Sequence, residues 1–393
     1  MLPFWLHPPP PRSAPCQGQY SCDVIVIGAG ICGLSTAWHL RNQGLSVIVL
    51  ESRGVAFSAT GRNAGFILQG TAERYNRAIE QMGRPLAKSI HQYSLENHRL
   101  MKELITEENI QCEYQQRGSL QLASSDAEIK ELLESARLLE EDGFSVERRT
   151  DSELGEPYCS AGFSMGIFLP EDAELHPVQF CLSIAQKLRS AGVQIFENSH
   201  VHSIDSSDGV QIQTTDAILS SEIAILCTNA KLGELLPSYR HVVSPVRGQM
   251  LCTAPVAPIF EQPIYADHGY DYWRQTPTGN IVLGGWRNLD PDSEVGHEEI
   301  LHDNIQEEMH SFLRRFRGLE DIKIEARWSG IMGFSLDGLP LVGAVPGSHN
   351  ILIGAGFTGH GFGFAWLAGR SLAELILEGQ SDFSDLCAPS RFL

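Results

Sequence analysis

The sequence has no closely spaced pair of cysteines and no cluster that combines cysteine with histidine. Its nine cysteines are scattered over 393 residues, and an odd number cannot all pair within one chain. This distribution lacks the usual signature of a structural zinc site, so no metal is expected. It also favours a reducing compartment, and we expect a cytoplasmic protein.

Basic residues are scarce as well. The chain has 29 Lys and Arg residues against 48 Asp and Glu residues, which gives a net charge of -19 at pH 7. A phosphate backbone or an anionic membrane surface repels such a protein. Nucleic acid is therefore not expected as a partner.

Apolar runs suited to a secretory signal or a membrane helix are missing too. Residues 1–20 are rich in proline and lack a signal-peptide core, so we expect a loose leader. Residues 351–369 form a long uncharged stretch, but its glycines and His360 suit a buried strand and loop better than a membrane helix. No integral membrane span is expected.

The overall composition is that of a folded globular protein. Hydrophobic residues make up 42% of the chain and charged residues 20%. The length is compatible with about two or three domain-sized units.

A complete strand–helix–strand unit opens the chain. It comprises a β-branched strand at 22–27, a glycine turn at 28–33, a helix at 34–43 and a second strand at 45–50. Glu51 follows the second strand directly. This order is typical of a dinucleotide-binding fold.

The residue types of this unit suit a dinucleotide. Gly28 permits the tight turn, Gly30 lets the backbone approach a pyrophosphate, and Gly33 lets the helix pack closely on the strand. Glu51 can accept hydrogen bonds from a ribose hydroxyl and disfavours a phosphorylated ribose. FAD and NAD both carry an ADP group, so the pattern alone does not separate them. Further residues expected at this cradle are Ile31, Cys32, Ser52 and Arg53.

Two more segments resemble the D-amino-acid-oxidase-like family of FAD enzymes, nearest to its glutamylputrescine-oxidase-like, glycine-oxidase-like and sarcosine-oxidase-like members. Residues 58–65, S-A-T-G-R-N-A-G, resemble the family's second flavin-contacting segment. Residues 337–343, D-G-L-P-L-V-G, followed by 351–361, resemble its closing strand, loop and helix. In the family that loop brings backbone amides and a helix N-terminus to the flavin ring. The resemblance thus implies FAD, with contacts at Thr60, Arg62, Asn63, Ala64, Gly65, Gly356, Phe357, Thr358, Gly359, His360 and Gly361.

The middle of the chain resembles the family's return to the nucleotide domain. Residues 170–177 lead into a helix and then into a strand at 193–196. The resemblance implies that the backbone near Val201 meets the adenine. It places Cys227 and Thr228 in a turn under the ADP group.

The resemblance extends over residues 23–379 and implies a discontinuous α/β architecture. A Rossmann-like FAD-binding domain of the glutathione-reductase type alternates with a substrate domain of mostly antiparallel sheet and helices. The FAD-binding domain is expected to comprise 21–70, 166–234 and 326–393, and the substrate domain 71–165 and 235–325.

Within the substrate domain, two strands are predicted to pair around a turn at 277–279. Tyr272 and Arg274 share one face of the first strand, which lines either the substrate cavity or the surface. Arg274 is our candidate for binding a remote substrate carboxylate. The aromatic residues Trp286, Trp328 and Phe334 either fill the core or together cradle a cationic amine.

Departures from the family pattern bear on the cofactor and the substrate. Gly330 stands where sarcosine-oxidase-like members attach flavin through a cysteine, so noncovalent FAD is expected. Gly363 and Met332 stand where relatives carry a lysine or an arginine that binds the substrate carboxylate, so an ordinary small amino acid would lose its bidentate clamp. Val282 replaces a lysine that promotes the oxygen reaction, which leaves O2 or a quinone as electron acceptor.

The resemblance implies an oxidoreductase that oxidises a CH–N bond of an amine or of an N-substituted or D-amino acid. Hydride passes to flavin N5, and the resulting imine hydrolyses. A neutral amine can deliver hydride once it is oriented, so a strong protein base is not required, and His360 is assigned to flavin contact rather than to acid–base catalysis. Two alternatives stay open: a 2-hydroxy-acid dehydrogenase on the same fold, and a noncatalytic flavoprotein.

Overall fold

A computed structural model describes residues 2–207 and 209–392 of the chain. The strands are β1 (Gly18–Ile27), β2 (Val47–Leu50), β3 (Phe66–Ile67), β4 (Ser119–Ala123), β5 (Glu147–Thr150), β6 (Met165–Leu169), β7 (Ala173–Glu174), β8 (Gln194–Phe196), β9 (Val201–Asp205), β10 (Val210–Thr214), β11 (Ala217–Leu226), β12 (Val243–Thr253), β13 (Ile264–Ala266), β14 (Asp271–Gln275), β15 (Ile281–Gly285), β16 (Ile324–Ser335), β17 (Leu341–Ala344) and β18 (Ile351–Ala355). The α-helices are α1 (Ile31–Leu40), α2 (Tyr75–Met82), α3 (Arg84–Glu107), α4 (Asp126–Glu141), α5 (Asp151–Leu154), α6 (Pro177–Ser190), α7 (Leu232–Leu235), α8 (Asp303–Leu313), α9 (Gly361–Leu377) and α10 (Asp382–Leu386).

The first sheet is built around parallel strands in the order β8-β2-β1-β11-β18. The residues of β1 alternate between two apolar layers. Val24 and Val26 pack with helices α1, α6 and α9, whereas Ile25 and Ile27 pack with β9, β10 and the segment after β11. Burial on both faces explains why the central strands are continuous β-branched runs rather than alternating ones.

The second sheet has the order β16-β12-β15-β14-β13-β4-β6-β5, and β4–β13 is the parallel pair among its neighbours. Helix α8 packs on one face, where Phe312 lies among Trp273 and Leu283. Strands β14 and β15 form the predicted hairpin, with Gln275 opposite Ile281. The two sheets confirm the expected Rossmann-like domain combined with a mostly antiparallel second sheet.

Two predicted domain boundaries fall inside strands of the second sheet. Strand β6 begins at Met165 and pairs with β4, and β16 pairs with β12 from Ile324 to Ser335. The boundaries at 166 and 326 therefore cut these strands, and the turns that end them lie several residues later, at 170–171 and 336–337. The remaining division into segments stays a prediction.

The N-terminal segment contradicts the prediction of a loose leader. Trp5 is 4% exposed and Leu6 is fully buried, and both join the core beside α6. The Trp5 Nε1 donates a hydrogen bond of 2.7 Å to the Asn63 carbonyl oxygen. Farther along, the Ser13 backbone N–H donates to the Glu197 carboxylate at 2.6 Å. The proline-rich composition suggested a loose segment, but Trp5 and Leu6 are buried against residues that lie far away in the sequence.

Two predicted absences concern the part of the chain that the structure describes. None of the helices within 2–207 and 209–392 combines the length and apolar character that crossing a bilayer requires. Over the same residues, no group of three His, Cys, Asp or Glu side chains is arranged to hold a metal ion.

Replacing Trp5 by Ala should lower the free energy of unfolding by roughly 3–5 kcal/mol, because it empties a buried site and removes the bond to Asn63. Urea denaturation of the purified protein measures the change. His7→Ala alters an exposed neighbour and is the matched control. Equal stability of the two variants would show that the N-terminal segment is not anchored.

Candidate active site

A cavity of about 490 Å³ opens where the central parallel strands end. Gly28 follows β1, Glu51 follows β2, and Cys227 and Thr228 follow β11, and all four line the cavity. The carboxyl ends of parallel strands are where open α/β sheets bind their ligands. From there the cavity extends to residues of the second sheet, among them Tyr272.

Most residues that we predicted for the cofactor line this cavity. They are Gly28, Gly30, Ile31, Cys32, Glu51, Ser52, Thr60, Asn63, Ala64, Val201, Cys227, Thr228, Phe357, Thr358, Gly359, His360 and Gly361. The predicted residues that do not line it are Gly33, Arg53, Arg62, Gly65, Gly330 and Gly356. Because these six do not line the cavity, we expect them to act on the cofactor through the segments that contain them.

The glycine turn has room for backbone alone. A Cβ atom on Gly28 would lie 2.5 Å from the Cys227 carbonyl oxygen, and one on Gly33 would lie 2.0 Å from the Gly28 oxygen. Gly30 precedes α1 and offers no side-chain cap. The Ile31 N–H donates to the Thr60 hydroxyl at 3.3 Å, and the next amides of the helix stay available to a ligand at the cavity. Such a turn fits a pyrophosphate, whose charge the helix N-terminus stabilises.

Glu51 is held at the cavity by its own surroundings. Its carboxylate accepts hydrogen bonds from the backbone N–H groups of Ala29 at 2.9 Å and Arg53 at 2.8 Å. Burial raises the pKa of this carboxyl, and the two backbone donors oppose the shift. The oxygen bonded to Arg53 also accepts from the Ser52 hydroxyl at 3.3 Å, whereas the oxygen bonded to Ala29 keeps a free lone pair, so the group can still accept from a ribose hydroxyl. Arg53 thus supports Glu51 through its backbone, while its guanidinium pairs with Glu299.

Arg62 fixes the segment 58–65, which we call the flavin loop, from behind. Its buried guanidinium donates to the Phe57 carbonyl oxygen at 2.9 Å and to the Ser329 carbonyl oxygen at 2.7 Å. The same group pairs with the Glu299 carboxylate at 2.8 Å. One side chain therefore ties the loop to β16 of the second sheet.

Gly330 and Trp328 complete this attachment on β16. A Cβ atom on Gly330 would lie 2.9 Å from the Arg62 Cβ, so the arginine stem occupies the space. The Trp328 indole is buried and donates to the Arg62 carbonyl oxygen at 3.0 Å. Trp328 thus takes the core alternative and not the amine cradle, because the flavin loop crosses β16 at this point. Met332 and Phe334, farther along the same strand, do line the cavity.

Arg274 also lies outside the cavity. It is 1% exposed, pairs with the Glu174 carboxylate at 3.3 Å, and donates to the Leu175 carbonyl oxygen at 2.9 Å. Its guanidinium stands 5.0 Å from the ring centroid of Trp5. A substrate carboxylate cannot reach it, so the predicted substrate role is wrong. Tyr272 and Arg274 lie on the same face of β14, as predicted. Of the two, only Tyr272 lines the cavity.

Trp286 belongs to the core of the second sheet. Its ring packs edge-on against Phe312 with centroids 4.9 Å apart, and it does not line the cavity. Trp286 therefore also takes the core alternative and not the amine cradle. Alternation along a strand predicts which residues share a face, but not how far along that face a cavity extends.

The substrate end of the cavity is aromatic. Tyr272 stacks on Tyr265 with ring centroids 5.5 Å apart, and the edge of Phe66 meets both rings. Burial raises the pKa of Tyr272 to about 12, so its hydroxyl is neutral at pH 7. Sequence reasoning missed Tyr265 because β13 is only three residues long, although Tyr265 lies directly opposite Tyr272. It also missed Arg287, which follows β15 and lines the same end.

The closing loop contributes a neutral histidine and a helix start. Burial lowers the pKa of His360 to about 4. His360 is therefore uncharged at pH 7, which suits contact better than proton transfer. Helix α9 begins at Gly361 without a side-chain cap, so its first amides stay available to a ligand. Thr228, across the cavity, has a buried hydroxyl without a hydrogen-bond partner among the described residues.

The sequence matches the family of FAD-dependent oxidoreductases known as DAO over residues 23–375. The chain belongs to this family. It is 31% identical to the probable oxidoreductase OrdL of Haemophilus influenzae, over 94% of this chain and 87% of that protein. It is 26% identical to the gamma-glutamylputrescine oxidoreductase of Escherichia coli, over 91% and 84%.

A solved structure supports the same fold. Glycine oxidase from Geobacillus kaustophilus superposes with a TM-score of 0.80 at 20% identity, over 93% of this chain and 96% of that one. As a member of the DAO family, the protein is an FAD-dependent oxidoreductase. The glycine turn, Glu51 and the Thr228 hydroxyl fit the nucleotide part of FAD, and the flavin loop and α9 start fit its ring.

The Gly28→Ala variant should lose FAD, because its Cβ would lie 2.5 Å from a carbonyl oxygen and push the turn into the pyrophosphate space. The ratio of flavin absorbance to protein absorbance after purification measures this loss. Gly44→Ala is the matched control, since Gly44 also has a positive φ but nothing within 4 Å. That control costs only backbone strain of about 1–2 kcal/mol. Full FAD occupancy in Gly28→Ala would place the nucleotide elsewhere.

The Arg274→Ala variant should lose stability rather than substrate affinity. Glu174 is 2% exposed, so removing its partner leaves a buried charge at a cost of roughly 3–5 kcal/mol. Chemical denaturation measures the loss, and the double variant Glu174→Gln/Arg274→Met should recover most of it. A variant with unchanged stability but a raised KM would restore the substrate role that the sequence suggested.

Proposed function

We propose that this flavoenzyme oxidises the CH–N bond of an amine or amino acid to an imine, which then hydrolyses to a carbonyl compound and an amine. The observation that carries the proposal is the part of the cavity beside the stacked rings of Tyr265 and Tyr272, which we call the slot. It belongs to the same cavity as the flavin loop and the start of α9. The relatives named gamma-glutamylputrescine oxidoreductase and glycine oxidase support nitrogen-containing substrates.

The residues of the slot suit a substrate whose nitrogen, bonded to the carbon that is oxidised, is uncharged. When bound, FAD supplies hydride acceptance at its N5 atom. Tyr272 and His360 are both neutral at pH 7, so neither withdraws a proton as a strong base. Their work is to orient the amine and to exclude water, which is sufficient because orientation accounts for a large share of the barrier.

We propose that FAD is held without a covalent bond. Gly330 has no sulfur and lies against the Arg62 stem. The cysteines that line the cavity, Cys32 and Cys227, lie next to the nucleotide turn with their sulfur atoms 3.6 Å apart. Acid precipitation should therefore release FAD into the supernatant, and yellow colour that stays with the pellet would contradict this proposal.

We propose O2 as the electron acceptor, by analogy with relatives named oxidase such as the glycine oxidase of Bacillus licheniformis, to which the chain is 27% identical. A quinone remains the alternative acceptor. Reoxidation of the reduced protein by air, compared with reoxidation by a soluble quinone in the absence of air, distinguishes the two.

Anaerobic bleaching of the bound flavin is expected with amines or amino acids. The purified holoenzyme is mixed with polyamines, N-methyl amino acids, D-amino acids and 2-hydroxy acids, and the visible spectrum is followed. Bleaching by 2-hydroxy acids alone would favour the hydroxy-acid dehydrogenase. A yellow protein that none of these compounds reduces would contradict the proposed function and favour a noncatalytic flavoprotein.

A further inference from the structure

The substrate end of the cavity contains a guanidinium group without a carboxylate partner. Arg287 lines the cavity and is half-buried. Its guanidinium stands 4.4 Å from the ring centroid of Tyr270 and 5.2 Å from that of Phe334. Within residues 2–207 and 209–392 it makes no hydrogen bond and no ion pair. Its N–H donors are therefore available to a ligand.

Other arginines around the site are already engaged. Arg62 pairs with Glu299 at 2.8 Å, and Arg274 pairs with Glu174 at 3.3 Å. Both are nearly inaccessible to solvent. Arg287 differs from them because only aromatic rings hold it, and rings stabilise a guanidinium without using its N–H donors.

The backbone that presents Arg287 is fixed on both sides. Gly285 has φ +126, and the next residue, Trp286, has φ 58 and lies in the left-handed region. The Trp286 N–H donates to the Tyr270 carbonyl oxygen at 3.1 Å, and its ring is held in the core by Phe312. A tryptophan in this conformation is strained, and such strain persists where the surroundings enforce it. The turn at the end of β15 thus sends Trp286 to the core and leaves the next residue, Arg287, at the cavity.

A second contact ties this turn to the opposite side of the cavity mouth. The Asn288 side-chain amide donates to the Asp267 carboxylate at 2.8 Å. Asp267 begins a 3-10 turn, residues Asp267–Gly269, whose last two residues line the cavity. Arg287 therefore projects from a cross-linked turn rather than from a free surface loop.

The positive charge of Arg287 reaches the slot. Burial is the main reason that the pKa of His360 falls, and Arg287 lowers it further. Burial raises the pKa of Tyr272, and Arg287 opposes that rise. Glu73, an exposed residue, is the acidic side chain that lines this end, and it forms no ion pair among the described residues. Glu73 would repel an anionic group, so the attraction comes from Arg287, whose positive charge acts on His360 and Tyr272.

We propose that Arg287 binds the carboxylate of the substrate, so that the enzyme prefers amines that carry a carboxylate over plain amines and polyamines. This inference rests on the proposed function of the same cavity. Met332 and Gly363, the uncharged residues at the positions where relatives bind the carboxylate, line the same cavity. The guanidinium fork matches a carboxylate with two hydrogen bonds, and its aromatic neighbours limit the freedom that binding removes.

Binding to the holoenzyme tests the inference without turnover. Anthranilate, a flat aromatic carboxylate suited to an aromatic slot, is titrated into the protein, and the visible absorption of bound FAD reports binding. Aniline, which lacks the carboxylate, is the matched ligand. The variants are Arg287→Gln, Arg287→Lys and, as a control at an exposed arginine, Arg317→Gln.

Anthranilate should bind Arg287→Gln roughly 10- to 100-fold more weakly than the wild-type protein, because a charge-assisted pair is lost. Arg287→Lys should recover part of the affinity, since it keeps the charge but not the fork. Arg317→Gln should match the wild type, and aniline should bind all four proteins alike. The spectrum of bound FAD verifies that each variant is folded and loaded.

Equal anthranilate affinity in the wild type and Arg287→Gln would overturn the inference, as would a wild-type protein that binds aniline but not anthranilate. Flavin bleaching separates these failures from a failure of the proposed function. If polyamines reduce the flavin while amino acids do not, CH–N oxidation stands and the role of Arg287 is refuted. If anthranilate binding depends on Arg287 but no amine or amino acid reduces the flavin, the anion site stands and the proposed reaction is refuted.

Discussion

The position of the flavin loop depends on two guanidinium groups that have been taken out of water. Arg62 joins the loop to β16, and Arg274 joins β14 to the Glu174 carboxylate and the Leu175 carbonyl oxygen beside the end of the loop. A buried charge is costly unless it is paired, so each arginine is satisfied in one arrangement of its surroundings. Two elements from different sheets are thereby held in register, and the shape of the cavity between them follows from this register.

One end of the cavity is lined by groups that suit a nucleotide and the other by aromatic side chains, because a different sheet forms the wall at each end. The parallel sheet offers strand ends, a glycine turn and one acidic side chain, which suit the polar phosphates and sugars of a nucleotide. The antiparallel sheet offers flat tyrosine rings from paired strands, which suit a small organic substrate. The flavin loop and the start of α9 lie where these two walls meet, so the reactive part of FAD is expected between them.

The sequence predicted the nucleotide end well because its signals are local. A turn glycine at which a Cβ atom would lie 2.5 Å from a carbonyl oxygen, a short β-branched strand and an acid after the next strand are all encoded within thirty residues of one another. The hairpin β14–β15 was predicted for the same reason. The predictions of a nitrogen-containing substrate and of the closing loop at the flavin came from the family resemblance, not from local sequence patterns.

The substrate end was predicted less well because it depends on long-range packing. Of the four residues predicted for the substrate, Tyr272, Arg274, Trp286 and Trp328, only Tyr272 faces the cavity. The flavin loop covers Trp328 and Arg274, and the turn after β15 sends Trp286 into the core of the second sheet. No pattern within a strand encodes either arrangement. Arg287 was missed because its position depends on an unusual backbone turn rather than on strand alternation.

The docked N-terminal segment has a consequence for the order in which the molecule assembles during synthesis. Ser13 and its partner Glu197 are 184 residues apart, and Trp5 waits for Asn63 and His176. Residues 5–13 are synthesised long before His176 and Glu197, so they cannot dock until those partners have emerged, since closing such long loops must await the later residues. Before that, the flavin loop lacks its contact with Trp5. Tight cofactor capture is therefore expected to follow synthesis of residues 176–197 rather than emergence of the glycine turn.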